Sequence, residues 1–270
     1  MKRHDLTWRF LATGKGSAMF NMGLDEALFE SLIEGVSPQT LRVFSWWPYA
    51  VTCGYAQRPE SVLDIELCVA DGIDVASRPT GGRAVYHGCE VAYSLIAAVD
   101  DSRFGGSIME TYERVSRVLC KALGMLGVDA VMSPGRPHPG KSARTSLCFL
   151  STSRYELTVD GKKLVGSAQR RSKGFFLQQG SIPIDDSYLK IVNYLIERDN
   201  SFENRQALVE RSTFLDNLTS EPLDDCIVGE AIRKAFNDAL DGHLDEGEIT
   251  DSEKQKLCKM LDDRNTLNRL

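Results

Sequence analysis

The chain is expected to fold as an α+β protein, a mixed, largely antiparallel sheet flanked by helices. Three observations predict this. Apolar residues recur at helical spacing over 17–34 and 108–126. Short alternating or wholly apolar runs lie at 7–12, 41–46, 50–55, 91–99 and 174–184. The pair Asp160-Gly161 separates two further such runs, a strong signal for a tight hairpin.

Taken in order, residues 7–12 read as a strand. The helix over 17–34 follows, with Ser17 as its N-cap and Gly35 as its stop. Residues 41–46 and 50–55 read as two strands of one hairpin around Trp47-Pro48-Tyr49. A short helix over 61–70 and a strand ending at Arg78 precede the strongly apolar run 91–99, expected to be a central strand. The helix over 108–126 stops at Gly127, and the prolines and glycines of 133–141 read as an exposed loop. Strands are expected at 155–159, 163–169 and 174–184, and amphipathic helices around 189–196, 207–218, 227–240 and 253–261.

The composition narrows the function. With 270 residues, 42% of them hydrophobic, the chain can bury a full core without metals or disulfides. A formal net charge of −6 disfavours a general nucleic-acid binder. Seven cysteines, at 53, 68, 89, 120, 148, 226 and 258, form no CxxC pair, which argues against a zinc site or a secreted disulfide framework. No stretch approaches the roughly 20 apolar residues that cross a bilayer, so a cytoplasmic protein with no membrane partner is expected.

Two segments carry the chemistry. In Lys163-Leu-Val-Gly166-Ser167-Ala168-Gln-Arg-Arg171, a lysine precedes small residues that let a ligand approach the backbone. Its ammonium suits an acyl carbonyl or a phosphate, although lysines after an Asp-Gly turn are commonly just solvated. In Arg78-Pro-Thr80-Gly81-Gly82-Arg83, unblocked amides and a guanidinium suit an anion. His87 is a candidate base or donor, or a packed ring. Cys148 follows Arg136, His138, Lys141 and Arg144, whose charge favours a thiolate, whereas an isolated cysteine is more often inert packing. Cys89 leads into the apolar strand and is expected to be buried, and Gln178-Gln179-Gly180-Ser181 reads as a turn near the acyl pocket.

Arg78-Pro-Thr-Gly-Gly-Arg-Ala-Val-Tyr-His87 resembles the RRxTGGRAVxH segment of the lipoate and biotin protein ligase superfamily, and Lys163–Arg171 resembles its KLxGSAQRR segment. The likeness runs from Leu6 to about Ile184. It implies a class II biotin/lipoate ligase-like catalytic core over 1–187, with a helical portion over 188–270 packed on it. Cys148-Phe149 before Tyr155-Glu156 is most similar to the cysteine-dependent octanoyltransferase branch. Two positions depart from the pattern: Ser77 stands before Arg78 and Gly88 after His87, so no second arginine or aspartate acts there.

The resemblance implies that Cys148 takes an octanoyl group from acyl carrier protein and passes it to a lysine of a lipoyl-carrying protein such as glycine cleavage H protein. Lys163 would hold the acyl carbonyl. Arg78, Thr80, Gly81, Gly82, Arg83, His87, Gly166, Ser167 and Ala168 would bind substrate. No cofactor and no metal are expected. The alternatives are an ATP- and Mg-dependent lipoate ligase working through an acyl-adenylate, an amidotransferase between lipoyl domains, and a non-catalytic binder of acyl carriers.

Overall fold

The computed structural model describes residues 7–134, 155–196 and 201–267. The first strand, β1 (Trp8–Gly16), leads into α1 (Ala18–Ile33), where the Ser17 hydroxyl accepts the Phe20 N–H as an N-cap. Strands β2 (Gln39–Trp46) and β3 (Ala50–Cys53) follow, then α2 (Ile65–Ala70), β4 (Asp74–Ser77), β5 (Val85–His87) and β6 (Glu90–Ala98). Helix α3 (Ile108–Met125) starts on a reciprocal Ser107–Glu110 capping box and gives way at Gly127, whose φ is +78°. After β7 (Val131–Met132) come β8 (Leu157–Val159), β9 (Lys162–Ser172) and β10 (Phe175–Pro183). The C-terminal part holds α4 (Ile191–Tyr194), α5 (Ser201–Arg211), α6 (Asp225–Ala239), β11 (Leu244–Glu246) and α7 (Asp251–Leu267).

Among the described residues, the strands form an eight-stranded sheet in the order β11-β1-β2-β6-β10-β9-β8-β7 and a three-stranded sheet in the order β4-β3-β5. In the large sheet β1 runs parallel to both neighbours and the other pairings are antiparallel, so the expected α+β class is what the structure has. The apolar run at 91–99 is central, every residue of β6 being buried. Both hairpin turns that flank β9 use the left-handed region at two successive residues, Asp160-Gly161 (φ +50° and +75°) and Lys173-Gly174 (φ +50° and +83°). Such turns match the strand twist.

Three expectations are corrected. The runs at 41–46 and 50–55 do not pair: β2 belongs to the large sheet and β3 to the small one, and Trp47-Pro48-Tyr49 carries the chain from one to the other. Strands β2 and β3 are each buried over their whole length, so alternation could not say which partner each had. Residues 178–181 form the middle of β10 rather than a turn. The C-terminal part is not all helix, because β11 adds to the edge of the large sheet beside β1.

The large sheet packs on α3 and α6 through a cluster that includes Trp8, Tyr93, Leu119, Phe176 and Phe236. The small sheet has a second core, with Val51, Cys53 and Tyr86 against Tyr188, Ile191, Tyr194 and Leu208. Between them lies a small cluster of Ala18, Met22, Phe44, Trp46, Ala50, Ala76 and Ala92. Among the described residues no helix is long and apolar enough to cross a membrane.

Candidate active site

A cavity of about 410 Å³ opens where the two sheets meet. Its apolar wall consists of Met22, Phe44, Trp46, Val85 and Ala92, with Ala92 paired in register with Phe44 on β2 and Ser181 on β10. Thr80, Gly81, Gly82 and Arg83 form another wall, and Gly166, Ser167 and Ala168 a third. The two segments singled out in the sequence therefore face one cavity, although they are about 80 residues apart in the chain.

Arg78 holds the glycine loop in shape. Its guanidinium donates to the carbonyl oxygens of Gly81 (2.9 Å), Arg83 (2.7 Å) and Thr52 (3.0 Å). Charge-assisted bonds of this kind fix geometry strongly. At the base of the loop, Gly54 allows a close approach: a Cβ there would lie 2.0 Å from the Gly82 carbonyl oxygen. Thr80 turns inward and donates to Gln179 Oε1 at 2.7 Å, while Gln179 Nε2 donates to Asp25 at 2.6 Å. Asp25 is ion-paired with Arg42 at 2.6 Å, both fully buried. Burial pushes the Arg42 guanidinium below its ordinary range, and Asp25 opposes the shift. Arg42 also lies 4.0 Å over the Phe44 ring, so this ionic network supports the apolar wall.

His87 lines the cavity with both ring nitrogens engaged. Nδ1 bonds Glu90 Oε1 at 2.7 Å and Nε2 meets the Thr52 hydroxyl at 2.7 Å. The ring is stacked on Trp46 with centroids 4.0 Å apart. Glu90 also accepts from Trp46 Nε1 and Ser181 Oγ, so His87 and Trp46 form one braced wall with no imidazole nitrogen left to act as a base. Gly88, where the family pattern has an acid, has no room for a side chain: a Cβ would fall 2.1 Å from Ser187 Oγ. Glu90, two residues on, supplies the carboxylate that the His87 ring meets.

Lys163 is buried to 1% exposure, and its ammonium bonds Glu156 Oε1 at 2.6 Å. Glu156 borders the cavity, the one carboxylate among the described residues on its wall. The pairing of β8 with β9 steps from Leu157↔Val165 to Thr158↔Lys163, a bulge that leaves Leu164 as the extra residue. Since Leu157 and Thr158 face opposite sides of their strand, Lys163 and Val165 do too. The bulge thus turns Lys163 toward the face that carries Gly166 and Ala168.

Cys148 and the basic residues Arg136, His138, Lys141 and Arg144 lie outside the described residues. Burial pushes the Cys53 and Cys68 thiols up to about 11, and Arg78 opposes the shift at Cys53. Cys89 is half-buried and shifted upward by burial and by Asp185, Asp216 and Asp225. Cys120 is also raised, first by burial. None of these four is a thiolate at neutral pH.

Glu90, Glu156 and Trp46 complete the site without having been singled out as site-forming, while Gln179, Gly180 and Ser181, expected near the acyl pocket, line the cavity from a strand rather than a turn. The Tyr-Glu pair at 155–156 was the available signal for Glu156. Glu90 and Trp46 lie within apolar or strand-like stretches that look structural until the sheets are assembled.

The model of the lipoyl protein ligase A/B catalytic domain matches residues 17–237. The chain is 38% identical over 265 residues to the octanoyltransferase LipM of Kyrpidia tusciae, covering 94% of this chain and 95% of that protein. It is 32% identical over 265 residues to the octanoyltransferase LipM of Halalkalibacterium halodurans, covering 96% of each. In fold it resembles the bi-partite lipoate protein ligase of Thermoplasma acidophilum, described with its E2 lipoyl domain, at a TM-score of 0.77 and 22% identity over 95% of this chain and 92% of that one. The family match takes in every residue described above on the cavity wall, and the chain belongs to the lipoyl protein ligase A/B catalytic domain family.

Proposed function

We propose that this chain is a cytoplasmic octanoyltransferase of lipoate biosynthesis. It moves an octanoyl group from acyl carrier protein, through a thioester on Cys148, to a lysine of a lipoyl-carrying protein such as glycine cleavage H protein. The names of its relatives support the reaction. The observation that carries the reading is the cavity, whose apolar wall suits an alkyl chain and whose polar end has the Glu156–Lys163 pair beside Gly166-Ser167-Ala168. Its volume lies in the range of small-ligand pockets.

In the first step the Cys148 thiolate attacks the carrier thioester carbonyl. A new C–S bond forms, the carrier's C–S bond breaks with the carrier leaving as its thiolate, and Lys163 with nearby amides stabilises the oxyanion formed between. In the second step the neutral acceptor amine attacks the Cys148 thioester, forming the amide and releasing the Cys148 thiol. The acyl group arrives already activated, so no nucleotide and no metal takes part.

Incubation with octanoyl acyl carrier protein, read by intact mass, tests this. An octanoyl adduct is expected without ATP, and Cys148→Ala is expected to abolish it. An adduct that needs ATP, or one that survives Cys148→Ala, overturns the mechanism.

A further inference from the structure

Gln179 joins two walls of the cavity through a side chain whose orientation is fixed. Asp25 accepts from Arg42 Nη1 on Oδ1 and from Ser94 Oγ on Oδ2, and as a carboxylate paired with Arg42 it has no proton to give. Gln179 must therefore turn its amide nitrogen toward Asp25, and Nε2 donates to Oδ2 at 2.6 Å. The other Nε2 hydrogen meets Met22 Sδ at 3.6 Å. That leaves Oε1 to face the glycine loop, where it accepts the Thr80 proton at 2.7 Å. Turning the amide over would set its oxygen against the carboxylate, so one arrangement alone suits every partner.

The strand register puts this link on the face that carries the acyl site. Gln179 lies opposite Ala168 on β9 and Ser94 on β6, and its neighbour on the same face of β10, Ser181, lies opposite Gly166 and Ala92. Thr80 and Gln179 both line the cavity. Thr80, Gln179, Asp25 and Ser94 are all buried, so water competes little for these bonds. Arg78 shapes the glycine loop from within and ties it to Thr52 on the small sheet. The Thr80–Gln179 bond ties the same loop to the large sheet.

From this geometry we infer that Gln179 is a positioning residue for octanoyl transfer: anchored on Asp25, it holds the glycine loop through Thr80 at a fixed distance from Gly166 and Ala168, and so sets the width of the cavity that receives the acyl donor. The inference rests on the octanoyl-transfer reading. Gln179 acts through Thr80, and no bond in either step changes.

Single-turnover acylation of Cys148 by octanoyl acyl carrier protein, followed over a range of donor concentrations, tests it. Thr80→Val keeps the shape of its side chain and removes the proton, and Gln179→Met keeps the length and removes the acceptor. Each is expected to raise the half-saturating donor concentration about tenfold, the scale of one hydrogen bond, with the maximal rate within about twofold of the parent. The double variant should be no worse than the worse single one, because the two side chains act as one link. An unchanged half-saturation in Thr80→Val, or losses that multiply in the double variant, overturns the inference.

Gln179→Glu supplies a second readout. A protonated Glu reproduces both bonds, its O–H to Asp25 and its carbonyl to Thr80, whereas an ionised one meets Asp25 with like charge. The charged side chains around it are Asp25 of α1 in direct contact, Arg42 of β2 behind that, and Arg78 and Arg83 on the glycine loop. Burial and Asp25 both raise the pKa of the new carboxyl, so its half-saturating concentration should match the parent's at about pH 6 and exceed it about tenfold at about pH 8.5. A ratio to the parent that stays flat over this range overturns the inference. The parent's own adduct tests the octanoyl-transfer reading separately: an adduct on the parent with no shift in the variants removes the inference and leaves that reading in place.

Discussion

Glu156 and Lys163 form a buried ion pair at 2.6 Å, the carboxylate on the cavity wall and the ammonium behind it. Removing the acid takes a carboxylate from beside a cation that is buried to 1% exposure. Glu156→Ala should therefore destabilise the protein by about 3 kcal/mol, at the low end of what breaking a buried pair costs. The double variant Glu156→Gln/Lys163→Met should recover much of that stability while remaining inactive. Denaturant titration and the octanoyl-adduct assay together check both halves.

The apolar wall has its smallest residue at Ala92, between Phe44 and Ser181 in register. Ala92→Leu places three more carbons inside a cavity of about 410 Å³. The expected result is a shift of acyl preference toward shorter chains, with butanoyl or hexanoyl carriers retained and octanoyl slowed at least tenfold. A set of acyl carriers of graded length, read by intact mass, measures it.

Gly54 permits the contact that seats the glycine loop. Gly54→Ala pushes a methyl against the Gly82 carbonyl oxygen, a backbone atom with no rotamer to yield. The cost should be about 1–3 kcal/mol, typical of overpacking, and activity should fall further than stability because the loop is displaced. Thermal melting and adduct formation compared side by side check this.

At the other end of the molecule, Arg9 on β1 is paired with Glu253 on α7 at 2.6 Å. Burial is the largest single influence on Glu253 and pushes its pKa up. Hydrogen bonds from Arg9, Ser37 and the Thr250 N–H, with the Arg9 charge, outweigh it and leave the carboxyl below its ordinary value. A depressed folded pKa means that this stability is present above the unfolded value near 4.3 and is lost as pH falls through the folded value. Glu253→Gln should therefore flatten the acid limb of the stability–pH curve below about pH 4.3.

Thiol chemistry offers a direct reading of the cysteines. Iodoacetamide at pH 7.5 should spare Cys53 and Cys68, whose thiols burial holds up near 11. Cys148 should react with an apparent pKa below roughly 8.5. Peptide mapping after timed labelling checks it, and a slow Cys148 would count against the proposed nucleophile.

Much of this was legible in the residues themselves. Ser17, the Ser107–Glu110 box and Asp160-Gly161 act locally, so the helices and the hairpin they set could be read within a few residues. The Thr80–Arg83 and Gly166–Ala168 segments stood out as glycine-containing turns beside cations, and both line the one cavity. What could not be read arises from pairing across long separations. β2 and β3 part company because each is buried on both faces and the sequence between them does not name a partner. Glu90 became visible only when His87 met it, the link that Gln179 makes between Thr80 and Asp25 only when the strands were assembled, and the bulge that turns Lys163 only in the register of two strands.

The cavity sits where the small sheet, with its own core around Tyr86 and Tyr194, meets the cluster of Met22, Phe44, Trp46 and Ala92 on the large sheet. Such a seam can breathe. The three-stranded sheet, with the smaller core, is expected to loosen before the eight-stranded one, at a cost below global unfolding. Backbone amides of Val51 and Tyr86 should accordingly exchange with solvent sooner than those of Leu95 and Leu177, and the difference should shrink once an octanoyl chain fills the gap.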